Sequence, residues 1–391
     1  MKNRKRLPSI EDRISDLPDS ILCHILSFVP TKLAVRTSIL SKRWKPIWLS
    51  VPAFDNLQLY RTDDLCSAMQ SRDINLPILL FRLQYYKCYC YGTVSKFFKL
   101  INSATQRGLQ TLELDMCCEY LEVKYVSNIL TCKTLTVLKL TRVKFDKDVP
   151  QINVSSIKTL HLHYVYFRQE QNMVSFLLAF PNVEKLEAID VEYRNPFPNV
   201  EELEAIEVDY RNQMNKIFPN LMSATISISA IQLILYLCFC KSLILHINQT
   251  LQPKIVQIPF FYNLTRMELF FNSIESRWRP KWRKWKWILE MIQQSPKLQH
   301  LIIHEGIKQK SGIKEKNWKD PLTVPECLTS HLKRCYRGTK CDLLLAEYIM
   351  RHSKVLTTMK IHCADSIDLN TKYQILQKLS VCPRSCELIF D

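Results

Sequence analysis

Residues 135–145 read L-T-V-L-K-L-T-R-V-K-F, and the same pattern returns as I-K-T-L-H-L-H-Y-V-Y-F at 157–167 and as V-E-K-L-E-A-I-D-V-E-Y at 183–193. A shorter copy, L-Q-T-L-E-L, starts at Leu109, and weaker ones begin at Val200, Leu221, Leu243, Leu264 and Leu298. Inside each copy the apolar residues alternate, which is the period of a strand with one buried face. The clear copies lie 22 to 26 residues apart, a spacing that suits one strand plus a returning arm. Stacked units of that kind make an α/β solenoid, a curved sheet with outer helices, expected here over residues 75–320.

Alternation sends the leucines inward and leaves the residues between them on the other face of the sheet. The expected row is Glu113, Lys139, His161, Glu187, Glu204, Thr225, Ile244, Glu268 and Ile302. Glu113, Lys139, His161, Glu187, Glu204 and Glu268 are its charged or ionisable members and the candidates for meeting a target. His161 and His163 share this face, two apart; strand alternation explains them without a metal, and none is assigned. No serine, cysteine or carboxylate stands at a recognisable nucleophile or acid/base spacing beside them, so no catalytic residues are assigned.

One segment is duplicated at an offset of 17 residues: F-P-N-V-E-K-L-E-A-I-D-V-E-Y-R-N from Phe180 recurs as F-P-N-V-E-E-L-E-A-I-E-V-D-Y-R-N from Phe197. That offset has room for a strand and a turn but not for a full outer arm, so a cramped or irregular rung is expected there. Its carboxylates would also repel a polyanion passing over this part of a basic protein.

Upstream of the repeats, residues 14–52 read I-S-D-L-P-D-S-I-L-C-H-I-L-S-F-V-P-T-K-L-A-V-R-T-S-I-L-S-K-R-W-K-P-I-W-L-S-V-P. Pro18 suits a first helical turn, and Ile21, Leu22, Ile25 and Leu26 follow at helical spacing. Pro30 ends that helix, Thr31 and Ser41 offer further caps, and Pro46 should shorten a third helix. About forty residues cannot enclose so many apolar side chains alone, and a partner surface is the natural remedy. This stretch resembles an F-box, opened by Leu17-Pro18 and closed by Ser41-Lys42-Arg43-Trp44. The resemblance implies that Leu17, Pro18, Ile21, Leu22, Ile25, Val35, Leu40 and Trp44 bind the small adaptor that bridges to a cullin scaffold.

At the other end, V-P-E-C-L from Val324, Y-R-G-T-K-C-D-L-L-L-A-E-Y-I-M from Tyr336, L-T-T-M-K-I from Leu356 and the final C-P-R-S-C-E-L-I-F from Cys382 resemble the FBD domain of plant F-box proteins. Between Leu332 and Tyr336 only three residues remain where that family carries a longer strand, so loss of the strand is expected. Leu344, Leu345, Tyr348 and Ile349 fall at helical spacing and should pack as a closing cap. The whole chain resembles plant F-box/FBD/leucine-rich-repeat proteins, with an F-box over 11–55, repeats over 75–320 and an FBD-like cap over 321–391.

Composition narrows the rest. The 391 residues include only 5 glycines, and neither G-x-x-x-x-G-K nor G-x-G-x-x-G occurs, which disfavours a nucleotide-binding enzyme. The 15 cysteines are an odd number scattered mostly through apolar runs, as suits reduced thiols, and the pairs Cys88/Cys90, Cys238/Cys240 and Cys382/Cys386 lack zinc-finger partners. The longest apolar run, Ala230 to Cys240, contains Gln232 and is too short to span a bilayer, so no membrane partner is expected. With no secretory signal at its start, the chain should be cytoplasmic, nuclear or both, and the basic cluster at residues 2–6 is either an import signal or a solvated terminus.

The resemblance implies a non-catalytic substrate-recognition subunit of a cullin-RING ubiquitin ligase: the F-box holds the adaptor, the repeats hold an unknown target protein, and no cofactor is needed. Two other readings remain. A net charge of +17 and the run R-W-R-P-K-W-R-K-W-K at 277–286 have the composition of a nucleic-acid or phosphate-ligand binder, although one isolated patch builds no groove and a solvated loop before a helix at 287–294 accounts for it. The duplication and the short FBD strand are compatible with a degenerate F-box protein that has lost its target.

Overall fold

A computed structural model describes residues 13–14, 16–56, 67, 69–84, 93–120, 129–145, 154–193, 217–227, 233–247, 258–271, 282–305, 321–338, 343–362, 369–382 and 386–390. The chain groups into two compact units, Met1–Cys117 and Cys118–Asp391. Among the described residues no helix is long and apolar enough to cross a membrane.

The first unit opens with three short helices, α1 (Asp19–Leu26), α2 (Thr31–Arg36) and α3 (Trp44–Ile47), with single 3-10 turns at Thr37–Ile39 and Trp48–Ser50. Pro18 and Pro30 stand just before α1 and α2, where the missing amide proton breaks no helical bond. Thr31 is not a cap. Its buried hydroxyl accepts instead from the backbone N–H of Asp55, 2.7 Å away, and so ties α2 to the first strand. Ser41 likewise caps nothing, since α3 starts at Trp44; with Pro46 inside it, α3 has only four residues. The chain continues through β1 (Ala53–Asn56), β2 (Leu80–Gln84), α4 (Thr93–Thr105) and β3 (Thr111–Tyr120). β1, β2 and β3 pair in parallel, with Asp55, Arg82 and Glu113 in register. Phe54 and Phe81 stack beneath them at 5.5 Å between ring centroids.

The second unit carries β4 (Val137–Phe145), β5 (Thr159–His163), β6 (Tyr166–Phe167), α5 (Glu170–Leu178), β7 (Lys185–Ile189), β8 (Glu192–Tyr193), β9 (Ser223–Ser227), β10 (Ser242–Ile247) and β11 (Arg266–Phe271). After these come α6 (Trp282–Gln293), β12 (His300–Glu305), α7 (Glu326–Ser330), β13 (Arg334–Gly338), α8 (Leu343–His352), β14 (Thr358–His362), α9 (Leu369–Ser380) and β15 (Glu387–Phe390). The strands pair in parallel in the order β4-β5-β7-β9-β10-β11-β12-β13-β14-β15, and β6 and β8 extend a short second ladder from the end of β4. The sheet is open, so the plain description is α/β with a large parallel sheet.

Each expected copy of the repeat among the described residues contains a strand, and its alternate apolar residues are buried. Beneath β4 and β6, Phe145, Phe167 and Phe176 pack ring on ring, with centroids 4.9 to 5.6 Å apart. The buried thiols Cys238, Cys240 and Cys327 belong to the same interior; burial pushes the Cys327 thiol up to about 12, so it stays protonated and inert at neutral pH.

The strand thought missing after Leu332 is present: β13 pairs with β12 and β14, because a strand needs only a few residues once both neighbours offer partners. The loop expected over 277–286 gives way at Trp282 to α6, whose Trp287, Ile288, Met291 and Ile292 are buried. The second copy of the duplication, Glu204 included, lies outside the described residues; β7 bonds directly to β9, with Glu187 opposite Thr225.

Candidate functional site

Two sets of side chains stand out, one on the short helices and one on the open face of the large sheet. In α1 two apolar pairs sit at i and i+4, and the fold separates them: Leu22 and Leu26 turn inward while Ile21 and Ile25 stay exposed. α2 divides the same way, Ala34 inward and Leu33 and Val35 outward. The inward set, Leu22, Leu26, Ala34, Trp44, Ile47, Val51 and Ala53, makes a closed core on which Leu17, Val29 and Trp48 also pack. Outside it remain Ile14, Ile21, Ile25, Phe28, Leu33, Val35, Ile39 and Leu40, with Ile39 89%, Phe28 76% and Leu40 63% exposed. Burying a fully exposed side chain of this kind is worth roughly 1.5–3 kcal/mol, so these eight within 27 residues leave much of that stabilisation unrealised within this segment.

Of the residues expected to bind an adaptor, Ile21, Ile25, Val35 and Leu40 are exposed apolar groups, Pro18 is exposed beside them and Leu17 is half-buried. Leu22 and Trp44, 0% and 6% exposed, lie inside the core and offer no contact surface. Phe28, Leu33 and Ile39 are exposed apolar groups outside the expected set. Helical spacing names a stripe but not its direction, and the usable signal was that two stripes run along a helix that needs only one for its own core.

Polar contacts hold the helices in place. Arg43 donates from Nε and Nη2 to Asp19 Oδ1 at 2.9 and 2.7 Å, and its Nη2 also donates to the Leu17 carbonyl, which joins the two ends of the helical segment. Arg72, buried at 5% exposure, donates to the carbonyls of Val51, Trp48 and Ala53 at 2.9, 3.2 and 3.3 Å. Burial, and then the charge of Arg107, lowers its pKa to about 10, still high enough to keep the guanidinium charged at neutral pH. On the strands behind, Arg82 bridges Asp55 and Glu113, both at 2.6 Å. Burial raises the Asp55 carboxyl, Arg82 partly offsets that rise, and Glu113 is engaged within its own unit.

On the large sheet the register carries one row straight across: Lys139, His161, Glu187, Thr225, Ile244, Glu268 and Ile302, continuing through Tyr336 and Lys360 to Ile389. Glu268 sits between Arg266 Nη2 at 3.0 Å and His304 Nε2 at 2.8 Å. Glu187 faces His161 Nδ1 at 3.1 Å and His163 Nε2 at 3.0 Å. The row's carboxylates thus have bases beside them, which weakens any long-range negative field. Two residues farther along each strand is a second row that sequence reasoning did not single out, in which Phe270 stacks between His246 and His304 at 4.8 and 4.1 Å between centroids. Its signal was available, because a strand that exposes one residue exposes the next but one.

With this geometry in place, the comparisons with known proteins bear on both sets. The F-box domain family matches residues 14–55 and the FBD family matches residues 320–361. An F-box/FBD/LRR-repeat protein of Arabidopsis thaliana is 29% identical over 98% of this chain and 97% of its own length. A second protein of that description is 27% identical over 99% and 96%, and an FBD-associated F-box protein, also from Arabidopsis thaliana, is 27% identical over 97% and 100%. Residues 14–55 thus match the F-box family and residues 320–361 the FBD family, and relatives over nearly the whole length include Arabidopsis F-box/FBD/LRR-repeat proteins.

Proposed function

We propose that the chain is the substrate-recognition subunit of a cullin-RING ubiquitin ligase, docking on the cullin-ligase adaptor through its amino-terminal helices and presenting a target protein on its sheet. The observation that supports this most strongly is the set of exposed apolar side chains on an F-box whose own core is already complete. In this reading Ile21, Ile25, Val35 and Leu40, joined by Phe28, Leu33 and Ile39, meet the adaptor, Pro18 and Leu17 shape the approach, and Leu22 and Trp44 hold the helices that carry them. The ladder β4 to β15 is read as a leucine-rich-repeat solenoid whose last units form the FBD, giving an F-box over 11–55, repeats over 75–320 and an FBD over 321–391. Target residues are sought along Lys139, His161, Glu187 and Glu268 and the aromatic row beside them. Catalysis then belongs to the rest of the ligase, and this chain contributes proximity, raising the concentration of target lysines near the transfer machinery. Its place of work is the cytoplasm, the nucleus or both.

Substitution of exposed residues tests the docking without touching the core. Ile25→Glu with Ile39→Glu should abolish co-purification of the adaptor, or weaken it by about a hundredfold, while the circular dichroism spectrum stays that of the parent chain. Undiminished adaptor binding by the double variant would overturn the assignment.

A further inference from the structure

His161 and His163 leave β5 on one face, and the register sets Glu187 of β7 directly opposite His161. The carboxylate reaches both rings, Oε2 3.1 Å from His161 Nδ1 and Oε1 3.0 Å from His163 Nε2. One ligand-type atom from each residue lies within 4.8 Å of the other two. A tetrahedral ion with bonds of about 2.0–2.1 Å holds its donors about 3.3 Å apart, so the three groups stand within small side-chain adjustments of enclosing one.

A second observation separates this cluster from an ordinary ion pair. His163 Nε2 is shielded from solvent and close to Glu187 Oε1, yet the two are not aligned as a hydrogen bond. A nitrogen and a carboxylate oxygen that converge side by side are arranged as two ligands of one ion would be. The flanking residues in register with His163 are neutral, Thr141 on β4 and Ile189 on β7. Lys139, in register with His161, is the neighbouring cation that a bound metal would have to tolerate. The three side chains remain 26 to 34% exposed, so solvent reaches them from one side.

We propose that His161, His163 and Glu187 form a binding site for a divalent transition metal of the zinc class, with two imidazoles and one carboxylate as protein ligands and a fourth position open to solvent. Neutral imidazoles and an ionised carboxylate suit such an ion, and an open fourth position can take water or a side chain of another protein. The site stands independently of whether the helices dock on an adaptor.

The test uses the full chain, stripped with a chelator and titrated with Zn(II) against a chromophoric competitor, beside Glu187→Gln and His163→Gln. Other histidines and thiols in the chain can also take metal, so the informative quantity is the difference: each variant should bind one equivalent fewer than the parent, or bind it at least about tenfold more weakly. Zn(II) should also raise the thermal midpoint of the parent more than that of either variant, and metal-free unfolding of all three reports whether the variants remain folded. Equal stoichiometry and affinity in parent and variants would overturn the proposal. So would a parent that takes up no Zn(II) below a concentration of about 100 µM.

Discussion

At the scale of single residues, the buried charged side chains among the described residues are Asp55 and Arg72, and each has partners of opposite or complementary polarity. Arg72 comes from a stretch with no periodicity, yet it caps three carbonyls where the helical segment turns into β1, with its guanidinium 5.1 Å from the Phe54 ring centre. His300 shows the opposite situation, a base held among bases. Burial lowers its pKa from the ordinary 6.5, and Arg334, Arg266 and Lys333 lower it further. As pH falls through 6.5 the unfolded chain takes up this proton before the folded one does, so His300 withdraws stability on acidification until its folded form is protonated too. Proton NMR of the imidazole should give a midpoint below 6.5 that rises in Arg334→Gln and in high salt, since both weaken the repulsion. A midpoint unmoved by either change would mean that burial alone sets it.

At the scale of elements, the three copies at 135–145, 157–167 and 183–193 each hide a left-handed residue. Arg142, Tyr164 and Asp190 have φ of 55°, 54° and 51°, and each lies two residues after the second buried apolar position of its strand, Leu140, Leu162 or Ala188. The kink turns the chain so that Val143, Val165 and Val191 re-enter the core and the β4-β6-β8 ladder can form. A side chain in that conformation is strained by about 1–2 kcal/mol, and glycine removes the strain at some expense in unfolded-state entropy. Tyr164 is exposed, and its structural bond is the backbone N–H to the Ile189 carbonyl at 2.8 Å, so Tyr164→Gly should stabilise the protein by up to about 1 kcal/mol in urea unfolding. A lower midpoint would show that the tyrosine ring contributes more than its backbone strain costs.

The same element shows what the sequence could and could not disclose. Leu138, Leu140, Leu160 and Leu162 announce their strand by alternation, a local property, and the row Lys139-His161-Glu187 follows once parallel stacking is assumed. The kink at Tyr164 was not legible, because tyrosine carries no preference for it. β1 escaped notice because four residues after Pro52 are too few for a pattern, and β13 because its length depends on its neighbours. On the helices, Ile21 and Leu22 are equivalent in every local measure, and only the packing of Trp44 and Ile47 decides which of them stays exposed. The closeness of Glu187 to both histidines depends on inter-strand register, which no single strand encodes.

At the scale of the whole chain, the order of pairing governs how damage spreads. Within the second unit each strand of the main ladder pairs with its nearest neighbours along the sequence, so a strand in the middle touches the two beside it and none farther off. Stability in such a ladder is close to a sum of local interfaces, without one centre on which everything depends. Leu245 is a fair probe: it is 1% exposed on β10, opposite Ile226 of β9 and Leu269 of β11. Leu245→Ala removes buried methyl groups and leaves a cavity worth about 2–5 kcal/mol. Native-state hydrogen exchange should show that loss in β9, β10 and β11, while the amides of β4 and β5 keep their protection to within about 0.5 kcal/mol, because residues without shared contacts couple weakly. If β4 and β5 lost protection as fully as β10, the unit would be a single cooperative block, and substitutions made to map a target surface on the sheet could not be read as local.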